Sequence, residues 1–192
     1  MNKLMTMGDP NTFGKFMNVL DGYAMHKLRD DSWGWFWSVP VYRVDIIEPT
    51  PLLWQAPDGH QEKCVPVFES DDCSTPPLMW NMPGLNPDRF LLSGLHHDCI
   101  YKYGGLFVRA IGETDFHFQR MTRLDGDNRL RLWVGAEGGN AAQRWEYFRG
   151  VRIGAMYQKF PEIGYWDAIP VQSRMSPCID KHNAGGILKS AV

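Results

Sequence analysis

The strongest local signal in the chain is a helix marked at both ends. Asn86 fits an N-cap, Pro87 the first helical position and Asp88 the first turn, where each residue type is favoured. Gly104 and Gly105 then provide a stop, because glycine readily adopts the left-handed conformation that ends a helix. The sequence therefore predicts a helix over about 86–103.

The segments before this helix have the composition of strands. Residues 41–47 are β-branched and loosely alternating. Pro57-Asp58-Gly59 marks a turn, and residues 63–68 fit a returning strand in which Pro66 indicates a sheet edge. We therefore expect a small antiparallel sheet in this part of the chain.

Helical spacing of apolar residues predicts three further helices. The first is short and amphipathic over 13–28, the second runs from Gly112 or Thr114 to about Leu124, and the third covers about 140–153. The predicted fold is α+β, with a small N-terminal antiparallel sheet followed by a bundle of about three helices. The predicted division is an N-terminal extension with an aromatic cluster (1–38), a core domain (39–155) and an extended C-terminal tail (156–192).

Composition and charge exclude several classes of protein. The formal net charge of −2 gives no basic field, so no nucleic-acid partner is expected. No apolar run approaches the roughly 20 residues that span a bilayer, and residues 1–10 lack the apolar region of a secretory signal. None of the four cysteines stands in a CxxC pair, which argues against zinc and favours reduced thiols.

The predicted central helix carries a group of residues suited to acid–base chemistry. His97 and Tyr101 are four residues apart and share one helix face, whereas Asp98 is turned about 100° away. Imidazole can accept a proton near neutral pH. The helix therefore offers a base on one side and a carboxylate on another.

Asp115 is the expected partner of this base. Its spacing of three from Phe118 and Met121 carries it to the inner face of the predicted second helix, and a buried carboxylate needs a partner. His97 is the best candidate, because an acid that holds the far nitrogen of a histidine fixes its tautomer and suits it to activate water. The alternative is a satisfied polar core without chemistry.

The order of several short motifs resembles a known family. These motifs are Asp71-x-x-Ser74-x-Pro76, Trp80, His97-Asp98-x-x-Tyr101, Asp115-x-x-Phe118-x-x-Met121 and Val151-Arg152-Ile153-Gly154. Together they resemble Domain of Unknown Function family thirteen-fifty-three, whose small members are encoded by phages and by bacterial genomes that carry prophages. The likeness covers about 39–155 and implies a bacteriophage protein of the host cytoplasm, the virion or both. The Gly-rich segment 124–143 is longer than in the family and is expected to be an added loop.

A looser resemblance is to phospholipase A2, which also has an H-D-x-x-Y helix. It implies that His97 is the base, Asp98 a calcium ligand, Tyr101 a supporting hydroxyl and Asp115 the acid that orients the base. Backbone carbonyls of residues 82–86 would complete the calcium site. The half-cystine pattern of those enzymes is absent, since Cys99 stands one place early. With the expected His97–Asp115 pair, the predicted activity is hydrolysis of an ester or amide, with the host envelope as a candidate source of the substrate.

A non-enzymatic role is the main alternative. Trp33, Trp35 and Trp37 share one face if their segment is extended, and aromatic residues favour interfaces. These residues and the termini could join copies of the chain or other phage proteins, as in a tail, neck or head-associated subunit of a virion. A metal-dependent HD phosphohydrolase is a third class, which would need His26 as a further ligand.

Overall fold

The computed structural model describes residues 8–33, 37–70 and 87–157, which form two antiparallel sheets and four helices. The α+β class predicted from the sequence is therefore confirmed. The strands are β1 (Lys15–Met17), β2 (Tyr23–Trp33), β3 (Trp37–Ile46), β4 (Leu53–Gln55), β5 (Gln61–Lys63), β6 (Val67–Ser70), β7 (Gly105–Arg109) and β8 (His117–Arg120). The helices are α1 (Pro10–Phe13), α2 (Leu91–Tyr103), α3 (Arg123–Ala136) and α4 (Ala141–Tyr157).

The smaller sheet has the strand order β2-β3-β6. β3 contains most of the strand predicted over 41–47, whereas the strand predicted over 63–68 is wrong in its bounds, because β5 ends at Lys63 and β6 begins at Val67. Val44 of β3 stands opposite Phe68 of β6, and both side chains are buried. The same register places Ser70, the last residue of β6, opposite Tyr42. Among the described residues, β2 pairs with β3 over ten positions, whereas β6 pairs with β3 over four.

The larger sheet has the order β1-β4-β5-β7-β8, with all neighbours antiparallel. Its β7–β8 hairpin occupies most of the segment for which a helix from Gly112 or Thr114 to Leu124 was predicted, and that prediction is wrong. The apolar residues alternate here as well as recurring at every third position. Phe118 packs its ring edge against Phe107 on the neighbouring strand, with the ring centroids 5.4 Å apart, and such cross-strand pairs stabilise a sheet.

The predicted helix over 13–28 is also wrong, because this segment forms β1 and most of β2. β1 pairs with β4 and β2 pairs with β3, so the described part of the predicted N-terminal extension contributes a strand to each sheet. Phe16 of β1 is buried in the core. Phe16 is the one buried residue of this three-residue strand. The apolar residues of the segment therefore do not form the buried helix face that their spacing predicted.

Helix α2 lies at the centre of the fold, and the structure confirms its existence and its end but not its predicted start, because the α-helix begins at Leu91. A 3-10 turn over Pro87–Phe90 leads into it, and Gly104 ends it with φ 77°, a conformation that glycine adopts without strain. The helix contacts β6, β7 and α3. Every residue from Leu92 to Ile100 is buried. Each polar side chain on this helix must therefore find a partner inside the protein.

Helix α3 occupies the segment that was expected to be an added loop, so that expectation is wrong. Thr122 caps its start and accepts from the backbone N–H of Asp125, whose side chain accepts from the Thr122 N–H in return. Gly126 faces α2 so closely that an added Cβ would lie 3.1 Å from Cγ2 of Ile100. Glycine in this segment therefore permits close packing of two helices, although its abundance there suggested a loop.

Helix α4 confirms the third predicted helix. Asn140 precedes it and exchanges hydrogen bonds with Gln143, each side chain accepting from the backbone N–H of the other. Tyr147 of α4 is fully buried against Phe90, with ring centroids 5.1 Å apart. Among the helices of the described residues, none combines the length and the apolar character needed to cross a bilayer.

Candidate functional site

Three side chains from two other helices contact the carboxylate of Asp127 on α3. Nε2 of His97 lies 2.9 Å from Oδ1, and the Tyr101 hydroxyl donates to the same oxygen at 2.6 Å. Arg152 of α4 donates to the other oxygen, Oδ2, at 3.1 Å. His97 and Tyr101 are one helical turn apart on α2, as the sequence predicted, and their rings stand 4.2 Å apart.

This cluster is almost closed to solvent. His97 is 1% exposed and Asp127 is 0% exposed, whereas the side chain of Arg152 is 33% exposed. Burial raises the pKa of Tyr101, and the negative charge of Asp127 raises it further. The phenol therefore stays protonated and keeps its hydrogen bond to the carboxylate. Arg152 supplies the positive charge that a buried carboxylate requires.

The two ring nitrogens of His97 have different surroundings. Nε2 faces the Asp127 carboxylate, which can only accept, so in the neutral ring Nε2 carries the proton and Nδ1 keeps its lone pair. Nδ1 is buried and has no hydrogen-bond partner among the described residues. A buried polar atom without a protein partner calls for an explanation. A nitrogen of this kind can bind a water molecule or accept a proton from one.

Asp98 points to the other side of α2 and takes no part in the Asp127 cluster. Its Oδ2 accepts from the Ser70 hydroxyl at 2.6 Å, and the residue is 1% exposed. Calcium takes six to eight oxygen ligands. The described residues include no group of three or more His, Cys, Asp or Glu that could hold a metal ion, and residues 82–86 lie outside them. One carboxylate does not define a calcium site, so no chemical step is assigned to the metal.

The expected pairing of Asp115 with His97 is wrong. Asp115 lies in the exposed connection between β7 and β8, where it accepts from the neighbouring Thr114 hydroxyl at 3.1 Å. A strand replaces the predicted helix, and the spacing that would have turned Asp115 inward no longer applies. Asp127, 30 positions after His97, takes the place expected of Asp115.

Several residues of the motifs lie outside the described part of the chain. They are Asp71, Ser74, Pro76 and Trp80, together with Trp35 of the aromatic cluster and all but residues 156–157 of the predicted tail. The backbones of Trp33 and Trp37 stand opposite each other at the end of the β2–β3 pairing. The structure does not describe their side chains.

Asp127 and Arg152 complete the cluster. The motifs identified in the sequence include Arg152 but not Asp127. Arg152 stands in one of the motifs that resemble the phage family. Asp127 was missed because its segment is rich in glycine. The Thr122-x-x-Asp125 capping pair and the helical spacing of Leu130 and Trp133 were signals that could have located α3.

Comparisons of the chain with protein-family models, with curated proteins and with solved structures found no match.

Proposed function

We propose that this protein is a hydrolase in which His97 activates a water molecule and Asp127 orients His97. One observation carries the proposal: Nε2 of His97 is held by a buried carboxylate while Nδ1 has no partner among the described residues. An acid on one ring nitrogen fixes the tautomer that leaves the other nitrogen basic, which is the relation found in His–Asp catalytic pairs. Tyr101 and Arg152 hold Asp127 in place and are positioning residues.

The proposed reaction is hydrolysis of an ester. Nδ1 of His97 takes a proton from water as the oxygen attacks the carbonyl carbon, and Asp127 stabilises the imidazolium that forms. The tetrahedral intermediate then collapses with cleavage of the bond between the carbonyl carbon and the leaving oxygen. The leaving alcohol receives its proton from His97, which returns the base to its starting state.

The substrate class and the biological setting rest on the resemblances. We infer a bacteriophage-encoded protein of the host cytoplasm or virion, which acts on an ester of the host envelope such as a phospholipid. A cation bound at Asp98 is likewise implied only by the resemblance to phospholipase A2. Asp98 lies next to His97 in sequence, but its side chain reaches β6 instead of Asp127. The activity assay is therefore run with and without calcium, and the reaction steps above do not include the ion.

The test is an esterase and phospholipase assay of the full chain with and without added calcium. A short-chain ester is used beside phospholipid vesicles, because the acyl group must reach an imidazole that is only 1% exposed. We expect His97→Gln to lower the turnover number about 10²–10⁴-fold, the range for loss of a general base. The glutamine amide can still donate to Asp127, which favours retention of the fold.

His117→Gln is the matched control, because His117 lies on β8 with its side chain 59% exposed. This variant should keep the wild-type turnover number. Equal activity of the two variants, or no hydrolysis by the wild-type protein under either condition, would remove the basis for the proposal.

A second candidate function is a structural subunit of a phage particle. The observation that favours it is the outer strand of the β2–β3 hairpin, in which residues 26–30 of β2 are exposed. Within the described residues β2 pairs with β3 alone, and a long unpaired strand edge can pair with another chain. Trp33 and Trp37 stand at the far end of this hairpin.

Light scattering of the purified chain and mass spectrometry of purified phage particles test this candidate. An assembly in solution that Leu28→Lys breaks into monomers would support it, because Leu28 is 48% exposed on β2. A monomeric chain that is absent from particles would contradict it. The two functions are compatible, since a particle can carry a hydrolase.

A further inference from the structure

A second set of buried polar atoms lies between β5, α2 and α3, apart from the Asp127 cluster. It consists of Oε2 of Glu62, Nε2 of His96 and the indole Nε1 of Trp133. Each of these residues is 0% exposed, and none of the three atoms has a hydrogen-bond partner among the described residues. Each buried polar atom without a protein partner calls for an explanation, and an ordered water molecule is a common one.

The contacts of the three side chains bring them together. Arg129 donates from Nε to Oε1 of Glu62 at 2.9 Å, and Trp133 follows Arg129 by one helical turn on the same face of α3. The Trp133 ring packs against His96 with their centroids 5.3 Å apart. It also packs against Trp54, the cross-strand partner of Glu62, at 6.1 Å.

Each of the three atoms has a defined hydrogen-bonding role. His96 points Nδ1 at the Leu92 carbonyl, 3.1 Å away, so Nδ1 carries the proton and Nε2 is an acceptor. Burial lowers the pKa of His96 to about 4, against the opposing effects of the Leu92 and Glu62 backbones and of the Glu62 charge, so the ring is neutral near pH 7. Burial acts to raise the pKa of Glu62, but the hydrogen bond from His60 and the charge of Arg129 outweigh it and lower that pKa. Glu62 is therefore an ionised acceptor, and the Trp133 indole is a donor.

We infer that one internal water molecule binds between β5, α2 and α3, where it donates to Glu62 Oε2 and His96 Nε2 and accepts from Trp133 Nε1. Two acceptors and one donor match the two protons and the lone pairs of water. Buried waters typically make about three hydrogen bonds to groups of this kind.

This water would connect α2 and α3, the two helices that carry His97 and Asp127. It lies beside His96, the residue before His97, and beside Trp133 on the helix of Asp127. Its hydrogen bonds would link both helices to β5 through Glu62. The inference does not depend on hydrolase activity, because it rests on the partners of three other side chains.

Proton NMR of the full-length protein tests the inference in solution. We expect a cross-peak of the sign given by a long-lived bound water between the water resonance and the indole proton of Trp133. Trp133→Phe and Trp54→Phe assign the two indole signals. Trp54 is the matched internal control, because its indole already donates to the Phe13 carbonyl at 3.1 Å and should show no such cross-peak.

A high-resolution crystal structure supplies the second measurement. One isolated peak of density within hydrogen-bond distance of Glu62, His96 and Trp133 would support the inference. A direct hydrogen bond from Trp133 Nε1 to Glu62 or His96, with no peak between them and no water cross-peak at Trp133, would overturn it.

Discussion

Nε2 of His97 lies 2.9 Å from Oδ1 of Asp127, although 30 positions separate the two residues in the chain. The contact joins α2 to α3 in a region where both side chains are closed to solvent. Because the same carboxylate also receives Tyr101 and Arg152, it holds three helices together. Asp127 is therefore important for stability whether or not the protein is an enzyme.

Replacing Asp127 should destabilise the fold strongly. Asp127→Asn removes the charge that pairs with Arg152 and turns part of the carboxylate into a donor that faces other donors. Losing one member of a buried charge pair costs about 3–5 kcal/mol. Urea denaturation measures the change in the free energy of unfolding. The control is Asp115→Asn at an exposed loop position, which should change it by less than about 0.5 kcal/mol; equal losses would contradict the assignment.

Tyr101→Phe isolates the contribution of one hydroxyl. The ring can keep its place beside His97, but the hydrogen bond to Oδ1 of Asp127 is lost. Hydrogen bonds to charged groups contribute about 1.5–3 kcal/mol, and we expect a loss in that range in urea denaturation. A Tyr101→Phe protein as stable as the wild type would show that the carboxylate does not depend on this donor.

Gly126→Ala tests the close approach of α2 and α3. The new Cβ would lie 3.1 Å from Cγ2 of Ile100, so the Ile100 side chain must shift by a few tenths of an ångström. Crowding of a packed core typically costs about 1–3 kcal/mol, and over most of that range the cost exceeds the roughly 1 kcal/mol that alanine gains over glycine in a helix.

Thermal denaturation should give a lower melting temperature for Gly126→Ala. Asn128→Ala, at an exposed position of the same helix, should keep or slightly raise it. A Gly126→Ala protein that is more stable than the wild type would mean that the two helices are not in tight contact.

Glu137 makes stability depend on pH. This residue follows α3, is 7% exposed and accepts from the backbone N–H groups of Leu92 and Ser93 at the start of α2. Burial raises its pKa from 4.5 to about 7, against the opposing effect of these hydrogen bonds. The folded state thus binds this proton more tightly than the unfolded state, and its contribution to stability is complete below about pH 4.5 and declines up to about pH 7.

One pKa unit corresponds to about 1.4 kcal/mol, so the contribution of Glu137 should decline by about 3 kcal/mol over this window. Burial lowers the pKa of His96 to about 4, so the contribution of His96 rises with pH over much of the same window. The measurement is therefore the difference between the free energies of unfolding of the wild type and Glu137→Gln, in urea at several pH values. Glu137→Gln lacks the titrating group, so the wild type should lose about 3 kcal/mol relative to this variant between pH 4.5 and 7. Parallel profiles for the two proteins would contradict the assignment to Glu137.

The parts of the fold that the sequence predicted carry signals at their ends. Helix α2 stops at Gly104, and α4 begins at the capping residue Asn140. The shared face of His97 and Tyr101 followed directly from helical geometry. These features depend on residues that are close in sequence and not on distant contacts, which is why the sequence could predict them.

The errors arose where a local pattern fits two structures. Asp115, Phe118 and Met121 recur at every third position, but over so few residues this spacing also fits a strand that leads out of a loop. The glycines of α3 suggested a loop, whereas Gly126 gives close access to Ile100. That role becomes visible only when the two helices are seen together, and for the same reason Asp127 could not be selected as the partner of His97.

The complete enclosure of α2 has a consequence for synthesis on the ribosome. The elements that contact it, β6, β7 and α3, come from both sides of it in the chain. Until α3 has left the ribosome exit tunnel, one side of α2, with its histidines, stays open to water. The interior can therefore close only after α3 emerges, and partial folding of the earlier strands cannot substitute for that step.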